Sequence, residues 1–127
     1  MEQYEDALLE YSGVQPRISK SFTIIEMDGK PFRVRTFIVG PPNFGDETFD
    51  PRANKRKTLL LLHGYTVAGV IWWRLLEALS EKYRVIMVDV MSHGLNSKPN
   101  VSYGLESPAR ADEWLVEWIT RVVDALP

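Results

Sequence analysis

Two short polar segments contain the residues that could perform chemistry in this chain. The first is HGYT (63–66), directly after the apolar run 59–62, and the second is DVMSHGLNS (89–97), at the end of the apolar run 84–90. Ligands of α/β sheets collect at the carboxyl ends of parallel strands. A turn after the first run would point backbone N–H groups outward, which is the geometry that an oxyanion needs. The second segment places a serine beside a histidine, which suggests a nucleophile and its base.

The titratable residues of these segments also have simpler interpretations. We interpret His63 as a hydrogen-bonded structural residue of its turn and Asp89 as a residue that pins its own loop. Ser92 and His93 are adjacent in one turn, where side chains generally diverge, whereas a nucleophile and its base must be within hydrogen-bond reach. Cysteine is absent and His63 and His93 are the only histidines, so no metal site and no cofactor are expected.

Length and charge exclude several classes of function. A chain of 127 residues forms one domain at most. Its formal net charge of −2 does not provide the surplus of positive charge that binding to the phosphates of a nucleic acid requires. The most apolar stretch, Leu59–Trp73, is shorter than the roughly 18–20 residues that span a bilayer, and no transmembrane segment is expected. The acidic first ten residues resemble neither a signal peptide nor a presequence, so a soluble intracellular chain is the default expectation.

Patterns in the first part of the chain predict a helix and a β-hairpin. Apolar spacing predicts a helix over residues 2–12, and Asp28-Gly29 predicts a hairpin turn between strands 19–27 and 32–39. Alternation in the second strand predicts one solvated face, carrying Arg33 and Arg35. We therefore divide the chain into a helix and linker (1–18), a hairpin (19–39), a loop (40–57) and a core (58–127).

The pattern of the core segment predicts a strand, a helix, a second strand and a second helix, in that order. The run Leu59–Leu62 is typical of a parallel strand covered on both faces, and residues 70–82 are predicted to form the helix that follows it. After the strand 84–90, Ser107 caps a helix whose first residue is Pro108. The apolar stripe of that helix comprises Ala111, Trp114, Leu115, Trp118, Ile119, Val122 and Leu126. The order predicts a right-handed βαβ unit and an α/β fold, and the absence of G-x-G-x-x-G disfavours a dinucleotide-binding domain.

Three segments of the core resemble the α/β-hydrolase superfamily of lipases, esterases and acyltransferases. They are LLLLHGYTVAGVIWW (59–73), KYRVIMVDVMSHGLNSKP (82–99) and the tryptophan-containing helix after them. The resemblance is greatest to the abhydrolase-domain lipases, which act on phospholipids or neutral lipids. It implies the N-terminal half of a three-layer αβα fold, in which an antiparallel hairpin leads into a parallel βαβ unit and the sheet is incomplete.

The resemblance also assigns roles to individual positions. The backbone N–H of Tyr65 or Thr66 would be one donor of the oxyanion hole, and His63 and Gly64 would support that turn. In the D-x-x-G-x-G-x-S segment of the family, the positions that hold the second turn correspond to Asp89, Gly94 and Ser97. This sequence departs from the family in having Thr66, Val67 and Ala68 where glycine is frequent, and Ser92 where the second motif has its first glycine.

The catalytic residues of the superfamily have no counterpart in these 127 residues. The family nucleophile lies in a G-x-S-x-G elbow, followed by an acid and a histidine. No serine here has glycines at both positions, and both histidines precede the point where the elbow would come. We therefore expect no catalytic residue in this chain and no esterase activity from it alone.

The resemblance predicts the spatial strand order first, second, fourth, third. The run Leu59–Leu62 would then be an unprotected apolar edge that needs a complement, either a missing C-terminal half or a partner protein. Two functions follow from this expectation. The chain is either part of a serine hydrolase that acts on acyl (lipid) esters, or a non-catalytic interaction subunit of a larger assembly that docks by strand addition.

Overall fold

A computed structural model describes residues 1–15, 17–41, 56–98 and 107–126 of the chain. Within these ranges the first half forms a helix and a hairpin, and the second half alternates strands and helices. The elements are α1 (Glu2–Glu10), β1 (Ile18–Met27), β2 (Lys30–Val39), β3 (Thr58–Leu62), a 3₁₀ helix (Gly69–Leu75), α2 (Leu76–Ser80), β4 (Arg84–Val88) and α3 (Pro108–Ala125).

The four strands form one mixed sheet in the order β1-β2-β4-β3. Strand β2 pairs antiparallel with both β1 and β4, while β3 pairs parallel with β4. The predicted strand order is therefore confirmed. Strand β3 lies at one edge of the described sheet, and Leu59–Leu62 is consequently half-buried. The expectation that this strand is covered on both faces is confirmed, since Leu61 packs against the core on one face and Leu60 and Leu62 pack against the core on the other.

The hairpin turn has the geometry that its sequence predicts. Asp28 and Gly29 have φ angles of 50° and 68°. Positive φ at both central residues is the requirement of a type I′ turn, whose twist matches that of the flanking strands. The paired strands run from Met27↔Lys30 to Ile18↔Val39, slightly longer than predicted.

The face of β2 that carries Arg33 and Arg35 is solvated at Arg33, as the alternation predicts, but buried at Arg35. Helix α1, which ends at Glu10 rather than at residue 12, places Glu5 against Arg35. Arg35 is only 3% exposed and Glu5 only 1%. The prediction is wrong for Arg35 because charged residues alternate in a strand in the same way whether they face water or an ion-pair partner.

The helix predicted over residues 70–82 is a 3₁₀ helix followed by the short α2, which ends at Ser80. The run Val70–Trp73 consists of β-branched and aromatic residues, which lose side-chain freedom in an α-helix. Trp72 and Trp73 are both half-buried. Trp73 lies 6.3 Å from the ring of Tyr11, centroid to centroid.

Helices cover both faces of the sheet, which gives three layers. Helix α1, the 3₁₀ helix and α2 cover one face through the core Leu9, Val14, Phe37, Val39, Val70, Leu76, Val85 and Met87. Helix α3 covers the other face through the core Ile25, Met27, Phe32, Val34, Ile86, Val88, Trp118 and Val122. The fold is thus the partial three-layer α/β architecture that the sequence analysis predicts.

Helix α3 begins as predicted. The Ser107 hydroxyl accepts a hydrogen bond from the Arg110 N–H at 3.3 Å, and Pro108 is the first helical residue. Trp118 is buried, and Trp114 packs against Phe32 with ring centroids 6.2 Å apart. Leu115 departs from the predicted apolar stripe, since it is 40% exposed. No helix in the described part of the chain is long and apolar enough to cross a bilayer.

Candidate functional site

The segments 63–66 and 89–97 lie side by side at one edge of the sheet. Leu62 and Val88 are partners in the parallel pair β3–β4, so both strands end at the same level. The chain leaves each strand directly into one of the two polar segments. Carboxyl ends of parallel strands are where α/β sheets bind ligands. The structure therefore brings together the residues that the sequence analysis selects.

The imidazole of His63 joins the two segments. Its Nε2 lies 2.7 Å from the backbone nitrogen of Val90, and its Nδ1 lies 2.7 Å from the carbonyl oxygen of Gly64. Nε2 must accept a hydrogen bond because the Val90 N–H can only donate. The proton of the neutral ring is therefore on Nδ1, which donates to Gly64. His63 is buried, with 6% of its surface exposed.

The hydrogen bond to Gly64 fixes the direction of the next backbone N–H. A trans peptide holds its C=O and N–H antiparallel. Since the Gly64 carbonyl points towards the His63 ring, the Tyr65 N–H points away from it. Tyr65 is 86% exposed and Thr66 is also exposed. Among the described residues, neither N–H has a hydrogen-bond acceptor.

The turn is strained at its next residue. Thr66 has a φ of 70°, in the left-handed region that a β-branched residue rarely occupies. The position is one of those where the resembling family frequently has glycine. Strain of this kind costs about 1–3 kcal/mol and persists where the surrounding structure requires it.

Asp89 anchors the start of the 3₁₀ helix and the second segment. Its side chain is fully buried, and its Oδ1 accepts from the Gly69 N–H at 2.7 Å. Its Oδ2 accepts from the Leu95 N–H at 2.9 Å. Gly94 has a φ of 54°, and a β-carbon there would lie 1.8 Å from Oδ2. Only glycine fits at this position, both sterically and conformationally.

The buried side chain of Asn96 holds the second loop, although the sequence analysis did not select it. Its Nδ2 donates to the carbonyl oxygens of Asp89 at 2.6 Å and Val90 at 3.1 Å. Its Oδ1 accepts from the Arg35 N–H at 2.6 Å. In the D-x-x-G-x-G-x-S pattern, a count from Asp89 puts the final serine at Asn96, so the spacing itself was the signal.

Ser97, which the sequence analysis selected, has a different contact. Its hydroxyl accepts from the Arg33 N–H at 2.8 Å, and its own N–H donates to the Arg33 carbonyl at 3.0 Å. These bonds attach the end of the second segment to strand β2. Ser97 therefore holds the loop against the sheet and lies outside the Asp89 cluster.

His93 contacts the first segment through its ring. It lies 5.3 Å from the His63 ring and 5.8 Å from the Tyr65 ring, centroid to centroid, and both contacts are edge-to-face. Its Nδ1 is 2.9 Å from the Met91 carbonyl oxygen. Ser92 has a φ of 64°, which explains why the family pattern has glycine there.

A buried ion pair lies beneath the second loop. Arg35 donates to Glu5 at 2.7 Å, while its backbone carbonyl accepts from the Asp89 N–H at 3.0 Å. Burial raises the pKa of Glu5, and the hydrogen bond and charge of Arg35 only partly oppose this effect. The sequence analysis missed this pair because it assigned Arg35 to a solvated face.

No group of three His, Cys, Asp or Glu side chains in the described ranges could hold a metal ion. The exposed turn after β3 presents backbone donors. The Tyr65 N–H belongs to a turn that the His63 side chain orients through Gly64. Donors fixed in this way can stabilise a developing negative charge on oxygen.

Comparison with known proteins finds similar segments in two longer proteins. The chain is 28% identical over 74 residues to haloalkane dehalogenase from Agrobacterium fabrum and covers 24% of that protein. It is 30% identical over 70 residues to a probable 1-acylglycerol-3-phosphate O-acyltransferase from Oryza sativa subsp. japonica. These segments are 58% and 55% of this chain, and the second covers 16% of the rice protein.

A solved structure of similar fold is that of a membrane phospholipase A described as a bacterial virulence factor. The TM-score is 0.62 at 22% identity, over 98% of this chain and 31% of that protein. The chain thus spans less than a third of the length of each of these proteins. The alpha/beta hydrolase fold family matches residues 57–127, more than half of the chain. On this match, and with the sheet and loops described above, the chain belongs to the alpha/beta hydrolase fold family.

Proposed function

We propose that this chain supplies the oxyanion-binding part of a serine hydrolase that acts on acyl esters of lipids. The observation that carries the proposal is the outward Tyr65 N–H at the carboxyl end of β3. Its direction follows from the hydrogen bond between Gly64 and His63. Of the two candidates, Tyr65 and Thr66, the peptide geometry favours Tyr65 as the donor.

In this proposal the remaining residues position the donor. His63 and Gly64 orient the peptide, Asp89 and Gly94 hold the two loops together, and Ser97 attaches the second loop to β2. When the nucleophile attacks an ester carbonyl, the Tyr65 N–H would donate to the oxyanion at about 2.7–3.1 Å. The nucleophile, acid and histidine would come from residues outside this sequence, which contains no G-x-S-x-G.

The choice of acyl esters draws on two of the similar proteins. One is a phospholipase A and the other a probable acyltransferase that acts on 1-acylglycerol-3-phosphate. Both names describe chemistry at an acyl ester, which proceeds through a tetrahedral oxyanion. A backbone donor is suited to that intermediate.

The complement that completes the site would pair with β3. The open side of this strand presents half-buried leucines, and a pocket of about 320 Å³ lies beside it. The pocket is lined by Thr58, Leu60, Arg84, Ile86, Val123 and Leu126. An added strand would satisfy the edge N–H and C=O groups, and its side chains would fill this pocket.

The proposal is tested on the protein isolated with its native complement. We expect a fluorophosphonate probe to label a serine in a G-x-S-x-G peptide outside these 127 residues, identified by mass spectrometry. The purified 127-residue chain is expected to hydrolyse no p-nitrophenyl ester. Labelling of a serine within this chain, or activity of the chain alone that one serine substitution abolishes, would contradict the proposal.

A second candidate function is a non-catalytic interaction subunit. The feature that favours it is the apolar edge of β3 next to the half-exposed Val123, which suits strand addition by an unrelated partner. The same experiment separates the two functions. A native complex without an elbow peptide and without labelling, beside a hydrolase control that is labelled, would establish the second.

A further inference from the structure

We propose that His63 is a proton-sensitive positioning residue, which attaches the candidate oxyanion turn to the loop after β4 only while its imidazole is neutral. The consequence of this protonation for catalysis rests on the proposed function, whereas the loss of the hydrogen bond between His63 and Val90 does not. The side chain of His63 hydrogen-bonds to both segments: to Gly64 after β3 and to Val90 after β4.

The two hydrogen bonds require one particular form of the ring. The Val90 N–H donates to Nε2, and Nδ1 donates to the Gly64 carbonyl, both at 2.7 Å. A neutral imidazole protonated on Nδ1 satisfies both bonds. The ring is 6% exposed, so water has little access to replace either partner.

Protonation of Nε2 would replace the acceptor for the Val90 N–H with a second donor. Two N–H groups at 2.7 Å repel each other, so the bond between the segments would be lost. The Nδ1–H would still donate to the Gly64 carbonyl, so the turn would keep that bond but lose its attachment to the loop after β4. Imidazole is the side chain that changes charge between about pH 5 and pH 8.

The titratable and charged groups around His63 do not offer the Val90 N–H another acceptor. His93 and Tyr65 face its ring from the neighbouring loop and from its own turn. Asp89, after β4, directs both carboxylate oxygens to backbone N–H groups. Farther from the ring, Arg35 on β2 pairs with Glu5 on α1, and Arg74 on the 3₁₀ helix lies over Trp73. None of these contacts supplies an acceptor that would replace Nε2 for Val90.

The experiment measures amide hydrogen exchange and imidazole ¹⁵N shifts by NMR, on the protein with its native complement, from pH 7.5 to 5.5. We expect a neutral ring protonated on Nδ1 at the upper end. On acidification the protection of the Val90 amide should fall about tenfold or more. The Leu95 amide, bound to Asp89, is the internal reference and should keep its protection.

Two variants assign the response to His63. The amide oxygen of Gln in His63→Gln can accept from Val90 and does not titrate, so Val90 protection should become independent of pH. In His93→Gln, the matched control, the response should persist. A Val90 amide in wild type that stays protected to pH 5.5, or a ring protonated on Nε2 at pH 7.5, would overturn the inference. If the wild-type response is found but no serine of the complex reacts with fluorophosphonate, only the proposed function fails.

Discussion

The α-carbon of Gly94 packs directly against the carboxylate of Asp89. A β-carbon at residue 94 would lie 1.8 Å from Oδ2, and the φ of 54° is unfavourable for any other residue. The carboxylate cannot withdraw, because Oδ1 is bonded to Gly69 and Oδ2 to Leu95. This contact makes the second loop the most sequence-restricted part of the described site.

We predict that Gly94→Ala lowers the free energy of unfolding by about 2–4 kcal/mol, from the sum of overpacking and backbone strain. Urea-induced unfolding provides the measurement. Gly29→Ala is the matched control, since Gly29 has a φ of 68° but no atom within 4 Å of the added carbon. Its cost should be only about 1 kcal/mol. Equal losses for the two variants would show that the contact with Asp89 is unimportant.

The raised pKa of Glu5 predicts a stability that depends on pH. Burial favours the protonated carboxyl, so the pKa in the folded state lies above the ordinary value of 4.5. The stabilising contribution is therefore fully present below about pH 4.5 and is lost as the pH rises through the folded-state pKa. The free energy of unfolding of wild type minus that of Glu5→Gln should fall from pH 4 to pH 7. A difference that grows with pH would contradict this sign.

Removal of one partner of the Glu5–Arg35 pair should be costly at neutral pH. Arg35→Met leaves Glu5 buried without its partner, which typically costs about 3–5 kcal/mol in the free energy of unfolding. The double variant Glu5→Met/Arg35→Met should recover most of this loss. Lys20→Met, which breaks the more exposed pair with Asp6, should cost less than about 1 kcal/mol. A double variant as unstable as Arg35→Met would show that the loss comes from packing.

Relief of the strain at Thr66 should stabilise the protein. Glycine adopts a φ of 70° without the steric penalty of a β-branched residue, so Thr66→Gly should raise the free energy of unfolding by about 1 kcal/mol. Thr120→Gly, in an exposed position of α3, should instead lower it by about 0.3–0.5 kcal/mol. Thermal or urea unfolding measures whether the free energy of unfolding changes in opposite directions in the two variants. A loss of stability in Thr66→Gly would mean that the threonine side chain contributes more than the strain removes.

The parts of the fold that the sequence predicted correctly are those set by local rules or by the resemblance to a family. Asp28-Gly29 determines a hairpin because both residues tolerate positive φ, and Ser107-Pro108 begins a helix by capping. The strand order followed from the resemblance and is confirmed by the sheet. None of these three predictions required knowledge of contacts between side chains distant in sequence.

The errors arose where distant residues decide the environment. Arg35 was assigned to solvent because its partner, Glu5, lies thirty positions earlier on another element. Asn96 was overlooked in favour of Ser97 although the motif spacing from Asp89 points to residue 96, whereas the carbonyl groups that Asn96 contacts depend on the fold. Directions of hydrogen bonds, such as that from His63 to Gly64, depend on the folded backbone and could not be predicted from spacing.

Asp89 uses one carboxylate to bind the chain entering the 3₁₀ helix and the loop after β4. Because the carboxylate binds both parts of the chain, neither can swing outward without losing a hydrogen bond to Asp89. We therefore expect the chain entering the 3₁₀ helix and the loop after β4 to keep their relative positions. Access for a bulky molecule would then come from movement of other structural elements.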